Sequence, residues 1–131
     1  MRGLVVDEPW ISAILSGRKT WEMRKKACRL RERVALICKG SGLVVGVADV
    51  VDSLAPIGSL EAYAEAEGFH AIPRERQAWA FQDGWRTPWV LRSARALAAP
   101  VPYRHPAGAV IWVTLEPGGA ATVESRLAAA A

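Results

Sequence analysis

The run GLVVGVADVV, residues 42–51, constrains this chain more than any other stretch. Its β-branched, apolar character predicts a long strand opening at the turn signal Gly40-Ser41-Gly42. Gly46 falls in the middle of that strand. A glycine there marks a bulge or a close backbone approach, as at the corner of a barrel. Other short runs read as strands as well: Leu4–Val6, Lys19–Arg24, Arg33–Cys38, Pro88–Ser93 and Ala109–Leu115.

Helical signals are fewer. Pro9 suits a first helical turn. Trp10, Ile11, Ile14 and Leu15 recur behind it at helical spacing, and Gly17 is a C-cap. Ser59 caps a helix predicted over 59–67 that ends at Gly68, and Arg74–Phe81 forms a shorter helical piece. Residues 100–108 read as a proline-rich loop. Strands outnumber helices and are joined by short turns. This predicts an α+β fold, a small and mostly antiparallel sheet or barrel with two or three helices.

A chain of 131 residues fits one domain, here residues 1–116, with 117–131 a flexible tail or short helix. No Rossmann or P-loop glycine pattern occurs, so no nucleotide cofactor is expected. Cys28 and Cys38 lack metal-ligand spacing and clustered histidines. No signal-peptide core and no apolar run of membrane-spanning length is present. These features predict a cytoplasmic protein with reduced thiols, no cofactor, no metal and no membrane partner.

Charge is uneven. The net charge is +4, yet residues 18–33 hold eight basic and two acidic residues. A basic stripe on a near-neutral body is either the footprint of a polyanion binder or a solvated face that aids solubility. Within it, strand alternation puts Trp21 and Met23 on one face and Thr20, Glu22 and Arg24 on the other. Lys19, Glu22 and Arg24 could therefore hold a phosphate or a base, or form a surface ion-pair ladder worth ~0–1 kcal/mol. A desolvated Lys19 could serve as base or nucleophile.

Two further sets of side chains invite a chemical reading. Ser12, Ser16 and Ser53 with His70 and His105 lack a nucleophile-elbow pattern, and both histidines read as surface residues. Trp79, Trp85 and Trp89 interleave with Arg74, Arg76, Arg86 and Arg92. That pattern suits stacking on single-stranded nucleic acid, or else core tryptophans flanked by snorkelling arginines. Trp89 and Trp112, inside apolar runs, read as core. Trp85, beside Arg86, is the exposed candidate.

Leu4-Val5-Val6, Pro9-Trp10, Ile14 and then Gly17-x-Lys19-x-x-Glu22-x-Arg24 together resemble the signature of ASCH domains (activating signal cointegrator homology). The Gly42–Val50 run resembles the family's second block. Trp89-Val90-Leu91, Pro100-Val101-Pro102, Gly108 and Trp112 resemble its C-terminal end. The resemblance implies a PUA-like β-barrel and a cleft in which the motif's Lys, Glu and Arg face RNA or a modified nucleoside. With the basic stretch and the tryptophan–arginine pattern added to that motif, the expected binding set is Trp10, Lys19, Glu22, Arg24, Lys25, Lys26, Arg29, Arg31, Trp85 and Arg86. Some bacterial members are amidohydrolases acting on N4-acetylcytidine, and ribonuclease activity is also attributed to the family. For an amidohydrolase, Lys19, Glu22 and Thr20 are the catalytic candidates. Those enzymes use a threonine at the Glu22 position and a downstream glutamate, for which Glu65 or Glu67 is the candidate here. Glu8 likewise stands where the family often has Gln.

Overall fold

The computed structural model describes residues 1–130. Six strands form one mixed sheet: β1 (Arg2–Val6), β2 (Trp21–Arg24), β3 (Arg33–Cys38), β4 (Leu43–Ser53), β5 (Thr87–Pro102) and β6 (Trp112–Thr114). Their spatial order is β2-β5-β4-β3-β1-β6. Among the described residues, β1 and β3 are the one parallel pair. Among the described residues, five helices accompany the sheet: α1 (Trp10–Leu15), α2 (Leu60–Glu65), α3 (Glu67–His70), α4 (Arg74–Gln82) and α5 (Pro117–Ala130). Among the described residues, no helix is long and apolar enough to cross a membrane.

The sheet curls into a half-barrel. Trp89 on β5 and Trp112 on β6 are four strands apart in the sheet order, yet their rings stack at 5.8 Å. Arg24 on the edge strand β2 likewise reaches the Val5 carbonyl on β1, at 2.8 Å. The bend is built into β4 and β5, whose register shifts three times. One shift falls at Gly46. A Cβ there would collide with the Leu15 side chain and come within 2.5 Å of the Arg95 carbonyl oxygen. The expected close approach is thus α1 packed onto the corner of the sheet.

Alternation along the strands sorts the core into two faces. Leu4, Val6, Val34 and Leu36 point into the curl and meet Ile11 and Ile14 of α1. Val5, Ala35, Ile37 and Val113 point outward. Both sets are buried because α5 covers the outer face with Val123 and Leu127. Two covered faces explain why these strands read as nearly continuous apolar runs. Cys28 and Cys38 are both free.

Several elements differ from expectation. The C-terminal segment, expected as a flexible tail or short helix, is a helix of 14 residues that packs on the sheet: Arg126 Nη1 donates to the Ala99 and Pro100 carbonyls, each at 2.6 Å. Its alanine-rich composition hides a stripe of only two large apolar residues. Strand β5 extends into the predicted proline-rich loop as far as Pro102. The Tyr103 N–H donates to Gly42 O, so by alternation the nitrogens of Pro100 and Pro102 face away from β4, where no strand needs a donor. Strand β6 is only three residues long. Ser59 caps α2 by accepting from Ala62 N at 3.1 Å, as expected. Gly68 lies inside α3, and the turn falls at Ala71, with φ +59°.

Candidate functional site

Gly17 ends α1 with φ +85°, and Lys19 N then donates to Ala13 O, which turns the chain into β2. On β2, Glu22 lies opposite Trp89 of β5. Met23 faces the other way, into a small cluster with Tyr63, Ile72 and Ala80. Glu22 and Arg24 therefore face the interior of the curl, where β2 approaches β1.

Lys19 and Glu22 are not a solvated ladder. They are only 2% and 5% exposed. Lys19 Nζ donates to the His70 carbonyl at 2.8 Å, lies 3.6 Å from Glu22 Oε1 and sits 5.3 Å from the centre of the Trp10 ring. Glu22 Oε2 accepts from Arg24 Nε at 3.1 Å and Nη2 at 2.8 Å. Arg24 also lies over Trp89, at 5.6 Å. Two cations thus share one buried carboxylate, which leaves a net positive floor. Burial pushes the Lys19 ammonium below the usual lysine range, and Glu22 opposes that shift only in part.

His70 is fully buried rather than on the surface. Its Nδ1 accepts from Ile72 N at 2.9 Å, so that nitrogen carries no proton. Its Nε2 donates to Tyr63 O at 2.7 Å. The ring is therefore a neutral clamp between α2 and the turn before α4, and burial holds its pKa below the ordinary value. That clamp fixes the carbonyl that receives Lys19.

Above this floor opens a cleft of about 670 Å³. Trp10, Trp85 and Trp89 line it, and Lys25, Lys26, Lys39 and Arg76 supply its cations. Asp7 adds a second acid beside Glu22. Over residues 4–100 the sequence matches the ASCH domain family. The chain belongs to that family.

Solved ASCH structures share the fold. The ASCH protein of Zymomonas mobilis superposes with a TM-score of 0.70 at 14% identity, covering 95% of this chain and 93% of that one. Two substituted forms of it are similar. The tyrosine-to-phenylalanine variant gives a TM-score of 0.69 at 16% identity, covering 95% and 96%. The serine-to-alanine variant gives 0.67 at 16% identity, covering 95% and 94%. No curated protein matches the chain.

Within this ASCH domain, the residues expected at a site separate into two groups. Trp10, Lys19, Glu22, Arg24, Lys25, Lys26 and Trp85 all line the cleft. Thr20, Arg29, Arg31 and Arg86 are not among the lining residues. Thr20 is tied through its backbone to Phe69 O and Leu91 N. Arg31 donates to the Cys28 and Leu30 carbonyls, and Arg86 lies over Phe81. Glu65 and Glu67 are exposed and also outside the lining, with Glu67 accepting from Gln77. Trp89 is core, as read, but one side of it also faces the cleft. Asp7, Lys39, Val110 and Ile111 carry no local signal in the sequence. The β1–β3 pairing and the approach to β6 bring them in. Arg76, Trp79 and Ala80 fall at i, i+3 and i+4 on α4, a helical face the sequence does encode.

Proposed function

We propose that this ASCH domain binds single-stranded RNA by taking one unstacked base or strand end into the cleft. The observation that carries this reading is the combination of a buried Lys19–Glu22–Arg24 floor with tryptophan walls and a cationic rim. Tryptophan faces hold a base by stacking, which every base permits. The positive floor suits a carbonyl or phosphate oxygen, and Glu22 Oε1, which faces only Lys19 at 3.6 Å, can accept an exocyclic amine. Lys25 and Lys26 extend the contact along the backbone. The PUA-like fold of the family is associated with RNA binding, which agrees with this chemistry.

Fluorescence anisotropy with labelled single-stranded RNA tests it. Affinity falls steeply between low and high salt, because each neutralised phosphate releases counterions. The double substitution Lys25→Glu/Lys26→Glu weakens binding and flattens the salt slope. An affinity indifferent to both changes rules the proposal out.

One observation favours a hydrolytic role as the second reading. Lys19 is dry, and its ammonium is held below the usual lysine range, as an amidohydrolase acting on an N4-acylated cytidine would need. A free Lys19 amine could activate water or attack the acyl carbon. Glu22 is held by Arg24, however, and Thr20 is not in the cleft lining, so proton transfer would have to pass through Glu22 Oε1. Incubation with N4-acetylcytidine decides this. Cytidine released by the wild type and not by Lys19→Ala supports it, and equal release by both removes it.

A further inference from the structure

We infer that the cleft is a two-base site, in which Trp79 stacks the nucleotide flanking the one held on the Lys19–Glu22–Arg24 floor. The ligand is then a segment of single-stranded RNA rather than a free nucleoside. This inference rests on the reading that the floor takes a base.

Trp79 lines the cleft yet is 59% exposed. Among the described residues, it is the one tryptophan without an aromatic or cationic partner. Trp21 stacks on Phe69, and Trp89 on Trp112. Trp10 lies near Lys19 and Arg76, and Trp85 lies beneath Lys25. An uncovered indole face at the mouth of a cleft is a vacant stacking platform.

Depth separates the two positions. Lys19 and Glu22 are buried at the floor, whereas Trp79 stands at the mouth. A base inserted to the floor leaves its neighbour outside, level with Trp79. The linking phosphate then needs a cation between the two. Arg76 lies one turn before Trp79 on the same face of α4. Arg76, Lys26 and Lys39 all line the cleft and, among the described residues, pair with no carboxylate. Lys25 differs, since it pairs with Asp83 at 3.7 Å. Of the two acids in the lining, Glu22 has its Oε2 bound by Arg24, and Asp7 Oδ1 accepts from the Glu8 N–H at 2.9 Å. Three cations without a carboxylate partner, Arg76 among them stacked on Trp10 at 5.8 Å, line the same cleft as the uncovered ring, a combination that matches the backbone of a single strand.

Calorimetric titration of the whole chain with two probes tests this. One probe is a short random-sequence single-stranded RNA, and the other is an equimolar mixture of the four nucleoside 5′-monophosphates. Trp79→Ala should weaken the RNA by roughly 5- to 150-fold, the cost of one lost stack. It should leave the monophosphates unchanged. Arg76→Gln should weaken the RNA and reduce its salt slope. Because Trp79 is exposed, thermal melting of Trp79→Ala should match the wild type. An unchanged RNA affinity overturns the inference while leaving the floor site standing. An equal loss for both probes also overturns it, because Trp79 would then act on the floor base. If neither probe binds the wild type, the base-binding reading itself fails.

Discussion

Substituting Glu22→Gln tests the buried floor most directly. Glutamine keeps the shape and an oxygen for Arg24 but removes the negative charge between two cations. Lys19 Nζ lies 3.6 Å and Arg24 Nη2 2.8 Å from that carboxylate. At an effective dielectric near 20, each attraction is on the order of 4–6 kcal/mol before desolvation. Desolvation has already offset much of this, so the net loss expected on breaking the network is about 3–5 kcal/mol. A domain of this kind holds roughly 5–15 kcal/mol in total, so the variant should fold but lose much of its margin. Urea unfolding followed by tryptophan fluorescence measures the difference.

The pH dependence gives a second signature. Without Glu22, the carboxylate that holds the Lys19 pKa up is gone, while burial and Arg24 still lower it. The folded pKa falls further below 10.5, and the unfolded chain binds more protons in the window between the two. Stability of the variant therefore rises with pH across that window. The deficit relative to wild type should be largest below the folded pKa and narrow as pH approaches 10.5. Adding Lys19→Met should recover part of the loss. A deficit under about 1 kcal/mol at neutral pH, unchanged on raising the pH, is the behaviour of a solvated ion pair and would refute the buried network.

Three other outcomes are expected. Gly46→Ala should cost ~1–3 kcal/mol or more in urea unfolding, because its Cβ meets backbone at Arg95 as well as Leu15; a neutral result would mean the corner is not closely packed. The Tyr63 hydroxyl donates to Trp85 O at 2.7 Å, and burial, with Glu22 nearby, raises its pKa from 10.0 to about 12. Its contribution is present in full below pH 10 and lost toward pH 12, on the order of 2–3 kcal/mol, so Tyr63→Phe should show a flatter alkaline limb in stability measured against pH. Deleting residues 117–131 uncovers the face that buries Val123 and Leu127, for a loss of roughly 3–6 kcal/mol visible as a lower melting temperature; an unchanged melt would show that α5 is dispensable.

Local pattern carried much of the fold. Strand β3 lies where RVALIC placed it, and Ser59 and Gly46 do what their positions imply. The misses share one cause. Strand β5 and helix α5 support each other through Arg126 and the outer core, so neither shows fully in its own window of sequence. His70 reads as a surface histidine because its two hydrogen-bond partners are backbone groups, which have no sequence signature. Lys39 and Asp7 reach the cleft only through strand pairing and the curl of the sheet.

The sequence by itself determined the family, the strand-rich α+β class and the grouping of Lys19, Glu22 and Arg24, because spacing along a short strand fixes which side chains share a face. It did not determine their environment. Whether those charges form a wet ladder or a dry floor depends on residues remote in the chain. The His70 carbonyl receives Lys19 and the Val5 carbonyl receives Arg24, while Trp10 and Trp89 pack beside the two cations. Desolvation is a property of what surrounds a group, and only the closing of the curled sheet brings those surroundings together.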